Sequence, residues 1–141
     1  MINGFYGQYE FLSNFYCWPI VWKGMVLPSA EHVYQSEKTT DDSEREAIYC
    51  SITPAKAKHF GSPKKLKHLK PDWSTIKETV MLEVLRAKFS DPELKTLLLK
   101  TDNERLIEKN WWGDTYWGVY NGYGKNRLGE LLMKVREEFR S

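Results

Sequence analysis

Residues 17–35 read Cys-Trp-Pro-Ile-Val-Trp-Lys-Gly-Met-Val-Leu-Pro-Ser-Ala-Glu-His-Val-Tyr-Gln. Cys17 to Trp22 reads as a strand, rich in the β-branched and aromatic side chains that fit a pleated surface. Lys23-Gly24 is a turn signal, and Met25 to Leu27 returns antiparallel against Ile20-Val21-Trp22. Pro28-Ser29 then opens a helix expected to reach about Lys38. Either Ser29 caps that helix or Pro28 occupies its first turn. Ala30, Val33, Tyr34 and Glu37 fall on one face, and Glu31, Gln35 and Lys38 on another.

Outward from this stretch the helices multiply and the strands shrink. Upstream, Gly4-Phe5-Tyr6 reads as a short strand. Downstream, Asp41 to Cys50 is helical but weakly patterned, and Thr53-Pro54 starts a short helix that Gly61 closes. Asp72 begins the longest helix, to about Phe89. Trp73, Ile76, Val80, Val84 and Ala87 line one stripe of it, with Met81 and Leu85 beside them. Asp91-Pro92 starts another helix, with Leu94, Leu97 and Leu98 expected in the core. Arg105 to Glu108 reads as a short strand, and Trp111 to Lys125 as a Gly- and aromatic-rich loop holding at most one strand. Asn126 is expected to cap the last helix, where Leu128, Leu131, Leu132, Val135 and Phe139 recur at helical spacing. Strands do not alternate with helices, which argues against a doubly wound parallel sheet. The expectation is a helix-dominated α+β domain over residues 1–141, with a small antiparallel sheet.

The composition narrows the function classes. Charged residues make up 28% but the formal net charge is only +2, so the chain is not a polycation built to coat nucleic acid. The aromatic share of 14%, with six Trp, is high and favours stacking or binding surfaces. Cys17 and Cys50 form no CxxC pair and have no His cluster around them, which suits a reducing compartment. No run approaches the ~18 apolar residues of a membrane span. A cytoplasmic protein with no membrane partner is expected. There is no GxGxxG after a strand, no GxxxxGK[ST] loop, no HExxH and no GxSxG elbow. Neither a metal nor a cofactor is called for.

Four groups of residues carry possible chemistry. Glu31 stands in a first helical turn, where the dipole favours an anion while aromatic burial would oppose it. The same pattern fits an exposed carboxylate that only complements the dipole. Trp111-Trp112-Gly113-Asp114-Thr115-Tyr116-Trp117-Gly118 packs four aromatics and one carboxylate into eight residues. It reads equally as a stacking platform for a base or as core rings beneath a loop. Lys125, Asn126 and Arg127 flank a helix start, where free N–H groups can bind phosphate or where an ordinary cap can sit. Lys56, Lys58, Lys64, Lys65, Lys67 and Lys70 place six lysines in fifteen residues, usually a solvated surface but also able to attract a phosphorylated substrate or nucleic acid.

Taken together, the ordered motifs resemble one family. They are Phe11-Leu12-Ser13-Asn14-Phe15, Pro28 to Gln35 with Lys38, Trp73, Val80-Met81, Lys88-Phe89 and Leu98 to Thr101. Trp112-Gly113-Asp114 with Trp117-Gly118 follows, then Gly124 to Gly129 with Leu132-Met133 and Arg136. Over nearly the whole chain this resembles the NADAR (YbiA-like) family. The resemblance implies a compact α+β fold and hydrolysis of an N-glycosidic bond in a ribosyl-nucleotide-like substrate. One branch cleaves riboflavin-pathway intermediates and releases ribose 5-phosphate. Another removes ADP-ribose from guanine in nucleic acid. A third reading is a non-catalytic ADP-ribose or NAD-binding module. The resemblance further implies Glu31 and Asp114 as catalytic carboxylates. Asn14, Gln35, Lys38, Trp73, Trp112, Trp117, Lys125, Asn126 and Arg127 are the implied substrate-binding residues. The expected partner is a small phosphorylated riboside or ADP-ribose-type ligand, with ADP-ribosylated nucleic acid as the alternative.

Overall fold

The computed structural model describes residues Met1–Ser141 and divides them into two units. One unit is Asn14–Ala87; the other joins Met1–Ser13 to Lys88–Ser141. The elements are seven helices, one of them a 3-10 turn, and two small two-stranded sheets. The helix-dominated α+β expectation therefore holds. No helix is long and apolar enough to cross a membrane.

In the unit Asn14–Ala87, β2 (Cys17–Trp22) and β3 (Met25–Ser29) pair antiparallel, with Ile20 opposite Leu27, Val21 opposite Val26 and Trp22 opposite Met25. Lys23 at φ 49° and Gly24 at φ 80° both lie in the left-handed region. Two such residues in a row give the turn whose twist matches the flanking strands. The register slips between Cys17 and Ile20. Pro19, which has no N–H to give the ladder, lies in that interval.

Helix α1 (Ala30–Ser36) follows β3 directly, and of the two possible starts the cap at Ser29 is realised: its side chain accepts from the His32 N–H at 3.2 Å. His32 is wholly buried, with Nδ1 2.7 Å from Ser29 Oγ and Nε2 2.9 Å from the Ser51 carbonyl. Every residue of α1 is buried, so the two faces assigned from the sequence are both interior. Asp41 caps α2 (Asp42–Tyr49), and Thr53 with Pro54 opens α3 (Pro54–Phe60), as their residue types require. Helix α4 is Trp73–Phe89. Its inward residues are Trp73, Val80, Met81, Val84 and Leu85, joined by Lys88 and Phe89 at its end.

In the other unit, β1 (Ile2–Asn3) pairs parallel with β4 (Leu106–Ile107). This parallel pair was not expected: strands of two residues are too short to show alternation. Gly4-Phe5-Tyr6 is not a strand, and a 3-10 helix, Gly7–Leu12, follows it. Helix α5 (Pro92–Leu99) buries Leu94 and Leu98, while Leu97, expected inside, is exposed. Helix α6 (Arg127–Arg140) buries Leu128, Leu131, Leu132 and Val135 as the spacing required.

Lys88 is 1% exposed and its Nζ donates to the Ser13 carbonyl at 2.8 Å. Burial drives its pKa down to about 7, opposed by the Glu108 carboxylate. Between about pH 7 and the ordinary lysine range, the unfolded chain holds a proton that the folded chain lacks. Stability from this group therefore rises with pH through that window and is least where the buried ammonium is charged. Relative to Lys88→Met, the parent should gain stability between pH 7 and 9 with a slope approaching about 1.4 kcal/mol per pH unit. Urea denaturation across that range measures it. The lost bond to Ser13 adds a pH-independent offset, so a flat difference would refute the buried neutral amine.

Candidate active site in the Asn14–Ala87 unit

The short helix α1 delivers three of the expected residues one turn apart. Glu31 stands in its first turn and is 7% exposed, which removes the reading of a solvated carboxylate. Its backbone N–H donates to the Asn14 carbonyl at 3.0 Å, fixing the helix start. Gln35, four residues on and therefore on the same side, donates Nε2 to Glu31 Oε2 at 2.7 Å. Lys38 follows the helix end. Its Nζ donates to the Gly61 carbonyl at 3.3 Å and lies 5.5 Å from the centre of the Tyr34 ring. Burial holds the Lys38 ammonium below the usual lysine range. Glu31 pulls it back up, and Lys58 and Lys77 push it further down.

Around this line the walls are aromatic and amide. Tyr34 and Trp73 meet at 5.3 Å between ring centres, tilted by 56°. Asn14 donates Nδ2 to the Met81 sulfur at 3.3 Å. Two buried amide oxygens, Asn14 Oδ1 and Gln35 Oε1, find no donor within the protein. Unmet acceptors of this kind are costly in a core and are concentrated where a protein works.

Gly61 was expected only to close α3. It does so at φ −86°, an ordinary value, so no special backbone freedom is used. Its reason is room: a Cβ there would fall 2.0 Å from Gln35 Oε1 and 3.0 Å from Gln35 Cβ. The missing side chain lets Gln35 keep its place against Glu31. Tyr34, Gly61 and Lys77 are neighbours that sequence reasoning did not single out, whereas Lys58 stood among the lysines of the basic run. For Lys77 the available signal was its position one turn beyond Trp73 on α4.

The remaining expected residues belong to the other unit, where the side chains of Asp114 and Asn126 bond backbone groups. Asp114 Oδ1 accepts from the N–H groups of Tyr116 and Trp117 at 3.0 and 2.9 Å, closing a local turn. Asn110 clamps the same loop by donating to the Asp114 carbonyl at 2.8 Å. Trp112 is exposed and Trp117 half-buried, its ring edge-on to Tyr116 at 4.9 Å. Lys125 Nζ lies 5.6 Å from the Tyr116 ring centre.

Asn126 stands at the N-cap position of α6, as expected, but does not cap it through its side chain. It adopts a left-handed conformation, φ 52°, and makes no side-chain cap bond. Its Oδ1 accepts from the Glu108 N–H and its Nδ2 donates to the Leu106 carbonyl, both at 2.9 Å. The N–H groups of Arg127 and Leu128 donate to the carbonyls of Tyr116 and Trp117, each at 3.0 Å. The first two donors of this helix are thus occupied, and the anion site expected from them is filled by the protein's own loop.

One further group brings together possible metal ligands. Ligand atoms of Asp41, Glu44 and His68 lie within 4.8 Å of one another. Both Glu44 oxygens already accept bonds, from the N–H groups of Lys67 and His68 and from the Thr39 hydroxyl. This carboxylate splices the 67–68 loop to α2.

The NADAR domain model matches residues 4–140. The chain is 43% identical over 133 residues to "N-glycosidase YbiA" of Shigella boydii, covering 93% of this chain and 82% of that one. It is 35% identical to "Riboflavin biosynthesis protein VVA0006" of Vibrio vulnificus, over 93% of this chain but only 36% of that longer one. The NMR structure of the Escherichia coli protein YbiA superposes with a TM-score of 0.85 at 40% identity, covering 99% of this chain and 85% of that one.

Proposed function

The chain belongs to the NADAR domain family, and from that premise we propose that it hydrolyses the N-glycosidic bond of a phosphorylated riboside with Glu31 as the catalytic carboxylate. The observation that carries this is the buried Glu31, one oxygen held by Gln35 and an ammonium, Lys38, acting on it from beyond the helix end. A relative of closely similar sequence is named an N-glycosidase, and a more distant one a riboflavin biosynthesis protein. Both names suit a substrate in which a sugar carbon is bonded to nitrogen.

Cleavage breaks the bond between the anomeric carbon and the base nitrogen, and the bonding pair leaves with nitrogen. The sugar passes through an oxocarbenium-like cation, which a nearby carboxylate stabilises. Water then adds its oxygen to the carbon. Glu31 accepts a proton from that water and passes it on to the departing nitrogen, which restores the carboxylate. Tyr34 and Trp73 offer flat apolar faces beside the acid, suited to a planar base or a sugar face. Gln35 holds one Glu31 oxygen in place through catalysis.

A base-release assay on a panel tests the reading. The panel holds ribosylamino-pyrimidine phosphates, their unphosphorylated ribosides, NAD, ADP-ribose and oligonucleotides carrying ADP-ribosylated guanosine. Release of base with formation of ribose 5-phosphate from the first set is the expected result. Release from the modified oligonucleotide alone would move the substrate to nucleic acid. Tight binding of ADP-ribose with no release anywhere would replace the enzyme by a binding module.

A further inference from the structure

We propose that Gly61 is a positioning residue for catalysis: its lack of a side chain holds the Gln35 amide against Glu31. The proposal rests on the reading of Glu31 as the catalytic carboxylate, and adds what fixes that carboxylate's partner.

A glycine at a helix end usually supplies a left-handed turn. Gly61 does not. At φ −86° and ψ 1° any residue fits its backbone, and its N–H is bonded to the Ala57 carbonyl at 3.0 Å. Backbone shape leaves the choice of glycine unexplained, and the side chain opposite explains it. A Cβ at position 61 would fall 2.0 Å from Gln35 Oε1, 2.8 Å from its Cδ and 3.0 Å from its Cβ. Helix α3 has little freedom to retreat, because Pro54 and Ala57 are buried and the helix packs on both α1 and α2. The far end of the flexible Gln35 side chain gives way instead.

That displacement reaches the acid. The Gln35 amide is planar, so Oε1 and Nε2 move together, and Nε2 carries the 2.7 Å bond to Glu31 Oε2. A half turn of the amide is no remedy, since it would set oxygen against carboxylate. In its present position Gln35 Oε1 has no donor. The amide is thus held for what its nitrogen does, at the expense of its oxygen. Lys38 is tied to the carbonyl of the same glycine at 3.3 Å, a backbone group that a side chain at position 61 leaves in place. Substitution there acts on Gln35 and Glu31 and spares the Lys38 tether.

The variants are Gly61→Ala, Gln35→Ala and the two combined. Two readouts apply: the side-chain amide signal of Gln35 in proton–nitrogen NMR spectra, and steady-state kinetics on a ribosylamino-pyrimidine phosphate. The amide signal is identified by its loss in Gln35→Ala. In Gly61→Ala it should move from a carboxylate-bonded position to that of an ordinary solvated amide. The same variant should lose about 10-fold in kcat with KM within about twofold of the parent, the loss of one hydrogen bond to a charged group. Gln35→Ala should lose as much, and the double variant no more, because both substitutions remove the same contact. A merely structural glycine would lower stability and leave the amide signal and kcat where they are. An unmoved amide signal in Gly61→Ala overturns the proposal. So does a parental kcat in that variant, and so do losses that add in the double variant. Should Gly61→Ala fail to fold, the double variant decides, since the clash is gone: it should fold and match Gln35→Ala, and its failure to do so overturns the proposal. A parent that releases base while Gly61→Ala keeps its rate removes the proposal alone. A parent that releases no base from any substrate of the panel removes the catalytic reading of Glu31, while the amide signal still decides whether Gly61 sets the pair.

Discussion

If Glu31 is the catalytic carboxylate proposed above, replacing it by Gln is expected to lower kcat by about 10²–10⁴-fold while leaving the protein folded and about as stable as the parent. The size follows from what the carboxylate supplies: charge opposite a developing cation and a place for the proton of water. An amide of the same shape supplies neither. The stability half of the expectation comes from the geometry. Gln35 Nε2 donates to Glu31 Oε2 at 2.7 Å, and the new amide can turn its own oxygen to the same donor. Glu31→Ala is the poorer variant, because it leaves that buried N–H without its acceptor, at about 1–3 kcal/mol. Steady-state kinetics and urea denaturation on the same preparations separate the two effects. A Glu31→Gln protein that turns over at the parental rate removes Glu31 from catalysis. One that fails to fold shows the residue to be an internal strut. The substitution also withdraws the charge that supports Lys38 as an ammonium.

What the sequence made legible was whatever is decided by neighbours a few positions away. The Lys23-Gly24 turn fixed the hairpin register, and Ser29, Asp41, Thr53 and Asp91 marked helix starts that the structure keeps. Contacts between distant segments were not legible. The β1–β4 pairing joins residues more than a hundred positions apart through only two residues each. The helical pattern of α1 set out two faces without saying which is covered, and packing against α2, α3 and the hairpin covers both. That burial turns Glu31 and Gln35 from surface polar groups into a hydrogen-bonded pair. Leu97 failed in the opposite direction, since a run of Leu97-Leu98-Leu99 cannot say which member turns outward. At the site, residue identity was enough to nominate Glu31. Recognising Gly61 required knowing that α3 brings it against Gln35, the partner of Glu31.

Asn126→Ala should cost about 2–5 kcal/mol of stability and leave the affinity of the folded protein for ribose 5-phosphate unchanged. One side chain here satisfies two backbone groups of the β4 strand region, the Glu108 N–H and the Leu106 carbonyl. Neither can be served by a methyl group, and Asn126 is only 4% exposed, so water reaches the gap poorly. The backbone adds to the loss. At φ 52° Asn is tolerated, whereas Ala is strained. Asn126→Gly removes the same two bonds but accepts the left-handed conformation, so the Gly variant should be the more stable of the two by about 1 kcal/mol. Gly129 shows how tight the arrangement is: a Cβ there would sit 2.4 Å from Asn126 Nδ2 and 2.1 Å from the Leu106 carbonyl oxygen. The helix thus opens with a glycine so that the asparagine can reach past it to the strand. Urea denaturation of the three proteins, with calorimetric titration of ribose 5-phosphate under folding conditions, distinguishes a strut from a ligand-binding residue. Loss of binding at full stability would restore the substrate contact that the family resemblance assigns to Asn126. Loss of stability at full affinity makes it the bolt between α6 and β4.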